Sequence, residues 1–347
     1  MLKKNLLIVF GGKSTEHEVS RTSAGMILDN IDKGKYNIFV LGITKEGKWL
    51  ICENYNSAKV KDGTWEQEGK EAYILPNNTK SLLVLENEGT KVFKIDVVFN
   101  IIHGNTGEDG KIQGLLELAG IPYVGCNTIS SAICMDKAFT KIIVNTINIP
   151  QAKYIVVKDT YDLEVIEKKT GYPCFIKPAN SGSSIGISKA KNRKELIEGI
   201  NTAFKYDEKV LIEEGIEGIE VECAVLGNED PIISTVGEIT YNAEFYDYET
   251  KYISDDSKAI IPTNLEESTI KKIREYTKEI YKILDCKGLS RLDFFVEKGT
   301  NDVVFNEINT LPGFTPISMY PMLMEHEGIS KTELIDRLIE LSLERRD

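Results

Sequence analysis

Residues 6–20 read LLIVFGGKSTEHEVS, and this stretch decides the class of fold. Leu6 to Phe10 is an uninterrupted apolar run of strand length, the pattern of a parallel strand buried on both faces. Gly11 and Gly12 turn the chain. Ser14 or Thr15 can cap the helix that follows, with Glu16 and Glu18 in its first turn, where the helix dipole favours acid. The spacing predicts a helix to about Ile31 and a second strand over Tyr36 to Ile43. Strand, glycine turn, helix and strand make the opening unit of an open α/β sheet. Gly12-Lys13-Ser14 has the ending of a phosphate-binding P-loop. That motif needs a glycine at position 7, which is Leu, so the P-loop reading falls.

Outward from this unit the pattern changes. Residues 44–95 hold short alternating segments (Lys48 to Cys52, Ala72 to Leu75, Ser81 to Leu85, Lys91 to Ile95) that read as an antiparallel hairpin elaboration. Asp96 to Ile102 returns to buried-strand character and leads into a glycine-rich loop, His103 to Gly114, then a helix at Leu115 to Ala119. A second unit has one helix over Ser130 to Asn148. Its strands are at Lys153 to Val157, Cys174 to Lys177, Ile185 to Lys189 and Val210 to Glu213, with helices at Tyr161 to Lys169 and Arg193 to Phe204. A third has strands at Glu220 to Leu226, Ile232 to Ile239, Leu289 to Glu297 and Asp302 to Ile308, with a long helix over Glu266 to Cys286. Leu334, Ile335, Leu338, Ile339 and Leu341 recur at helical spacing in a last helix over Ser330 to Leu343. With 347 residues the chain exceeds one small core. We divide it into an N-terminal α/β domain at 1–127, a central α+β domain at 128–213 and a C-terminal α+β domain at 214–347.

Composition narrows the function classes. A net charge of −12 with no Lys/Arg-rich block argues against a nucleic-acid binder. No run reaches membrane-span length, and the N-terminal apolar run is too short for a signal peptide. The six cysteines form no C-x-x-C pair and read as buried reduced thiols, so a cytoplasmic location is expected.

Chemistry gathers in a few places. Arg291 and Asp293 alternate onto one face of a strand, and Glu307 and Asn309 onto one face of another. Hard oxygen donors without His or Cys suit Mg²⁺, although half-exposed strands with polar outer faces would look the same. Thr310 to Thr315 leaves the second strand as a loop in which Gly313 can present backbone N–H to a developing negative charge, or be a plain Pro-Gly turn. Lys177 enters a Gly/Ser-rich loop through Gly186, where backbone N–H groups can cradle phosphate. Glu213 to Glu220 is either a solvated charge run or a crossover where a carboxylate meets ribose hydroxyls. His103 opens a glycine-rich loop and is functional or structural.

These segments resemble the D-alanine–D-alanine ligase family of ATP-grasp enzymes along nearly the whole chain. The resemblance is carried by GGKSTEHEVS (11–20), HGNTGEDGKIQGLLELAGIPYVG (103–125), MDK (135–137), KPANSGSSIGIS (177–188), EEGIEGIEVECAVLG (213–227), FYDYETKY (245–252), GLSRLDFF (288–295) and NEINTLPGFTPISMYP (306–321). It implies a three-domain ATP-grasp architecture with ATP between the last two domains. It also implies ligation of two D-alanines through an acyl phosphate, for peptidoglycan precursors, by a homodimer. Under it, Asp293, Glu307 and Asn309 hold two Mg²⁺ ions, with Mn²⁺ as a substitute. Lys137 and Lys177 bind ATP phosphates, Glu213 and Glu220 face the adenosine, and Lys251 reaches the γ-phosphate from a lid. Glu16 holds the ammonium of the first D-alanine within a set that includes Ser183 and Tyr252, and His103 stands near the substrate. Arg291 and the Gly313 backbone stabilise the tetrahedral oxyanion. Ser318 and Met319 shape the second pocket.

Two departures bear on the second substrate. Met319 stands where some relatives have Leu and D-serine-adding relatives tend to carry Arg. The 44–95 segment is longer than in compact members and resembles a region of resistance-type D-Ala–D-Ser ligases, so that activity is the alternative.

Overall fold

The computed structural model describes residues 3–240 and 258–345. The opening stretch forms β1 (Lys4–Gly11), α1 (His17–Asn30) and β2 (Tyr36–Ile43). Next come β3 (Trp49–Ile51), α2 (Ser57–Asp62), β4 (Lys70–Ile74), β5 (Ser81–Leu85), β6 (Thr90–Lys94) and β7 (Val97–Asn100). They make one seven-stranded sheet in the order β6-β5-β4-β3-β2-β1-β7. β1 pairs in parallel with β2 and β7, whereas β2 to β6 pair antiparallel. The expected hairpins are therefore an extension of the α/β sheet. Among them α2 and a 3₁₀ turn at Thr64–Gln67 were not expected. Trp65 makes the reason plain: its ring packs 4.9 Å from that of Phe10. It also covers Gly42, where a Cβ would stand 2.3 Å from the indole. The burial of one aromatic outweighs a weak local pattern.

After α3 (Lys111–Ala119), the helix expected over Ser130 to Asn148 is two, α4 (Thr128–Met135) and α5 (Lys137–Asn145). Asp136 breaks it. Its carboxylate caps α5 by accepting from the N–H groups of Ala138 and Phe139, and it also pairs with Lys209. A side chain that satisfies orphan amides favours a helix start over continuation. The central sheet comprises β8 (Tyr154–Val157), β9 (Cys174–Pro178), β10 (Ser188–Ala190) and β11 (Val210–Glu214), with α6 (Leu163–Thr170) and α7 (Arg193–Ala203) between them in sequence. Its order is β10-β9-β11-β8, antiparallel throughout.

The third sheet has β12 (Gly218–Gly227), β13 (Ile232–Thr240), β14 (Lys258–Ile260), β15 (Gly288–Glu297) and β16 (Val303–Asn309), with α8 (Glu267–Ile283) preceding β15. The order β14-β13-β12-β15-β16 is antiparallel. α9 (Met319–His326) is a helix that the sequence reading did not assign, and α10 (Lys331–Leu343) is the last helix of the described chain, nearly where its periodicity placed it. Leu334, Ile335, Leu338 and Ile339 of α10 share one core with Leu6, Ile8 and Phe10 of β1. The C-terminal helices are thus built into the N-terminal sheet's core, where each fully buried Leu or Ile contributes roughly 2 kcal/mol.

Candidate active site

Strand register assembles the polar face. Glu222 of β12 stands opposite Asp293 of β15, which stands opposite Glu307 of β16. On the next same-face rung Ala224, Arg291 and Asn309 align. Arg291 donates two hydrogen bonds to Asp293, both 2.8 Å, and its Nε lies 2.9 Å from Glu222 Oε2. Asn309 Nδ2 donates to Asp293 Oδ2 at 3.1 Å. Asp293 is 2 % exposed and lies beneath Arg291. Arg291, Glu307 and Asn309 themselves line a cleft of about 360 Å³. Glu222 was missed by the sequence reading. Its signal was alternation, since it shares a strand face with Glu220.

The opposite wall comes from the glycine-serine loop after β9. Ser183 and Ser184 hold φ of 48° and 59°, left-handed conformations that cost a residue with a Cβ on the order of 1 kcal/mol each. The strained turn delivers the Ser183 hydroxyl to the Glu16 carboxylate, forming the expected pair. Glu16 sits at the N-cap of α1, close against Gly104 and Gly182, where added Cβ atoms would come within 2.4 and 2.9 Å of its Oε2. Lys137, the first residue of α5, donates to the Ser181 carbonyl at 2.6 Å and stands 3.9 Å from Glu307 Oε2. The helix break at Asp136 is what puts this ammonium between the loop and the metal-ligand candidates.

His103 lines the same cleft but is nearly buried. Its Nε2 is 3.0 Å from Ser23 Oγ and its Nδ1 is 3.3 Å from Glu108 Oε1. Ser23 also accepts the Phe314 N–H at 3.1 Å. Gly313, Ser318 and Met319 line the cleft as expected. Ser318 Oγ accepts the Thr315 N–H at 2.9 Å and braces the loop. Met319 packs on Gly237, where a Cβ would meet its sulfur at 2.8 Å.

Lys177, Glu213 and Lys141 form a second group beside the cleft. The Glu213 carboxylate, expected at the adenosine, bridges Lys141 and Lys177, each at 2.6 Å. Lys177 also donates to Asn306, next to Glu307, at 3.3 Å. Burial pushes the Glu213 carboxyl up, but the two lysines win and hold it down at about 2. Burial disfavours the charged form of Lys177, yet Glu213 and Glu307 raise its pKa. Lys141, 2 % exposed, was missed, because a lysine on an otherwise apolar helix face reads as solvent-facing. Glu220 is half-buried on β12. Lys251 and Tyr252 lie outside the described residues.

Among the described residues no three His, Cys, Asp or Glu side chains converge as a complete metal cage. Glu307 and the Asn309 amide nevertheless line the polar cleft, with the Asp293 carboxylate held just behind them by Arg291 and Asn309, and together they make an all-oxygen set. This fits Mg²⁺ that takes its remaining oxygens from phosphates and water.

Residues 5–126 match the family described as D-ala D-ala ligase N-terminus, and residues 143–340 match D-ala D-ala ligase C-terminus. The chain is 51% identical over 356 residues to a D-alanine–D-alanine ligase of Caldicellulosiruptor bescii, covering 99% of this chain and 96% of that protein. It is 49% identical over 354 residues to that of Clostridium acetobutylicum, covering 100% of both. Among solved structures, the VanG D-Ala:D-Ser ligase from Enterococcus faecalis superposes with a TM-score of 0.90 at 39% identity, over 98% of this chain and 100% of that one. A D-alanine–D-alanine ligase from Bacillus anthracis complexed with ATP gives 0.74 at 28% identity, over 99% and 98%.

Proposed function

The chain belongs to the D-alanine–D-alanine ligase family, and we propose that it joins two D-alanines using ATP, for peptidoglycan precursors. ATP phosphorylates the carboxylate of the first D-alanine. The amine of the second attacks the acyl carbon, the C–N bond forms, and phosphate leaves with the former carboxylate oxygen. The observation that carries this reading is one cleft lined by Glu16 with its Ser183 partner, Lys137, Arg291, Glu307, Asn309 and Gly313. A carboxylate for an ammonium, cations for phosphate and donors for an oxyanion are the parts this chemistry needs.

In this reading Glu16 and Ser183 hold the first ammonium, with Tyr252 joining them and Lys251 closing over the γ-phosphate. Lys137 and Lys177 neutralise phosphate, while Glu213, which also holds Lys177, and Glu220 face the adenosine. Two Mg²⁺ ions, or Mn²⁺ in their place, supply charge neutralisation at the phosphates when bound by Asp293, Glu307 and Asn309. Arg291 and the Gly313 N–H meet the oxyanion, and His103 stands by the substrate. We further propose the boundaries 1–127, 128–213 and 214–347, a homodimer, and a cytoplasmic location. No helix among the described residues is long and apolar enough to cross a membrane.

D-Ala–D-Ser ligation is the second reading, favoured by the likeness to VanG and the long 44–95 extension. Met319 cannot hydrogen-bond a serine hydroxyl, although an apolar pocket rejects one only modestly. The test is phosphate release from ATP and Mg²⁺ with D-alanine alone and with added D-serine, products identified by mass. D-Ala–D-Ala from D-alanine alone supports the first reading, and a dominant mixed product supports the second. Glu307→Gln should abolish turnover. Full activity in that variant would sink the metal assignment.

A further inference from the structure

Two buried serines on one face of α1, Ser20 and Ser23, are not used by the mechanism as stated so far, and they continue the line begun by Glu16 at the helix N-cap. Glu16, Ser20 and Ser23 stand at i, i+4 and i+7, in line along the helix. Ser20 locks α1 to the sheet: its hydroxyl donates to the Ile101 carbonyl at 2.6 Å and accepts from Gly11 N–H at 2.8 Å. Ser23 is 0 % exposed and so touches no substrate. It instead meets two groups of the cleft wall, the His103 imidazole and the backbone that follows Gly313.

The hydrogen positions follow from chemistry. The Phe314 N–H can only donate, so Ser23 Oγ accepts it. With the hydroxyl proton directed at His103 Nε2, at 3.0 Å, each of these groups has a partner. That assignment leaves Nε2 without a proton and puts one on Nδ1, which faces the Glu108 carboxylate at 3.3 Å. In this chain Phe314, Ser23 and His103 each donate to one acceptor and Glu108 only accepts, its Oε1 also receiving the Gly104 N–H at 3.2 Å. The Phe314 ring is buried against Phe99 and Tyr320, so the loop is anchored by packing as well.

We propose that Ser23 is a positioning residue for the ligation step: it fixes the Gly313–Phe314 peptide beside the oxyanion donor and holds His103 in the Nδ1–H tautomer. The proposal rests on the ligase reading above. Because Glu16 and Ser23 lie two turns apart on one rigid helix, the ammonium site and the oxyanion loop are held in a common frame. Loss of the Ser23 hydroxyl leaves the ATP group of Lys141, Glu213 and Lys177 untouched. It should therefore act on kcat and not on ATP binding.

The experiment compares wild-type protein with Ser23→Ala and Ser23→Cys, the latter keeping side-chain size with only a weak donor. Both variants should lose roughly tenfold to a hundredfold in kcat, the range expected when a catalytic group is misplaced without being removed. The KM for ATP should stay within about twofold. In ¹⁵N-histidine NMR, feasible with three histidines in the chain, wild-type His103 should show one Nδ1–H tautomer, and both variants a mixture. Unchanged kcat overturns the proposal, as does an unchanged His103 signature. Parallel loss of kcat, ATP affinity and thermal stability also overturns it, since that marks a purely structural serine. If the wild-type protein makes no dipeptide, the ligase reading fails, while the NMR arm still decides the tautomer.

Discussion

Replacing Lys141 by Met removes one of the two cations that share the buried Glu213 carboxylate, with little change in side-chain length. In the native triad two ammonium groups and one carboxylate leave a net charge of +1, with Glu213 2.6 Å from each lysine. Without Lys141, Glu213 belongs to Lys177 alone and the local charge falls to zero. At an effective dielectric of about 20, a unit charge ~6 Å from a phosphate is worth roughly 3 kcal/mol. Counterions reduce this, so the KM for ATP should rise by roughly tenfold to a hundredfold. Removing one partner of a buried ion pair costs about 3–5 kcal/mol, but Lys177 remains, so a loss of ~1–3 kcal/mol in unfolding free energy is expected. The assay is ADP release at saturating D-alanine with ATP varied, beside a urea melt. An ATP KM within twofold of wild type, alongside the stability loss, would refute the argument that Lys141 frees Lys177 for phosphate. The pH sign is also set. Glu213 has a folded pKa lowered from 4.5 to about 2, so its stabilisation is present above pH 4.5 and is lost as pH falls toward 2. Lys141→Met should make acid unfolding less steep in that window.

Other parts of the molecule make independent predictions. Gly42→Ala places a methyl 2.3 Å from the Trp65 ring and should destabilise by about 1–3 kcal/mol in a urea melt, with an unchanged midpoint refuting the packing argument. Gly237→Ala should push Met319 into the second-substrate pocket. Its effect should be a roughly tenfold rise in KM for the acceptor amino acid, larger for D-serine than for D-alanine. Equal effects on both would count against this pocket assignment. All six cysteines are free and buried, and burial pushes Cys52 up to about 12 and Cys174 and Cys223 up to about 11. A thiol-specific dye at pH 8 should therefore react slowly with native protein and reach six equivalents only in denaturant. Rapid labelling of the native protein would contradict that burial.

The strands were legible because their signal is local. β2 falls at Tyr36–Ile43 and β5 at Ser81–Leu85, as their apolar patterns require. Asp293, Glu307 and Asn309 were legible as candidates for the same reason, since alternation along a strand needs no knowledge of its neighbours. The site's composition was readable in part because its residues cluster in short motifs, and the family resemblance rested on those motifs in order. Periodicity could not supply the partners. Glu222 acquires its place from the register of β12 on β15, and Lys141 from the packing of α5 beside β11. Ser23 acquires its place from the approach of a loop almost three hundred residues away in the chain. The Asp136 carboxylate that breaks the helix also pairs with a lysine from elsewhere, and Trp65 forms its turn by burial against β1 and β2. Local sequence determined which segments become strands and helices and which side chains share a face, because backbone geometry fixes those periods. Only the tertiary structure decided which faces meet, because long-range contacts gain their free energy from burial and pairing that exist only once the sheets have assembled.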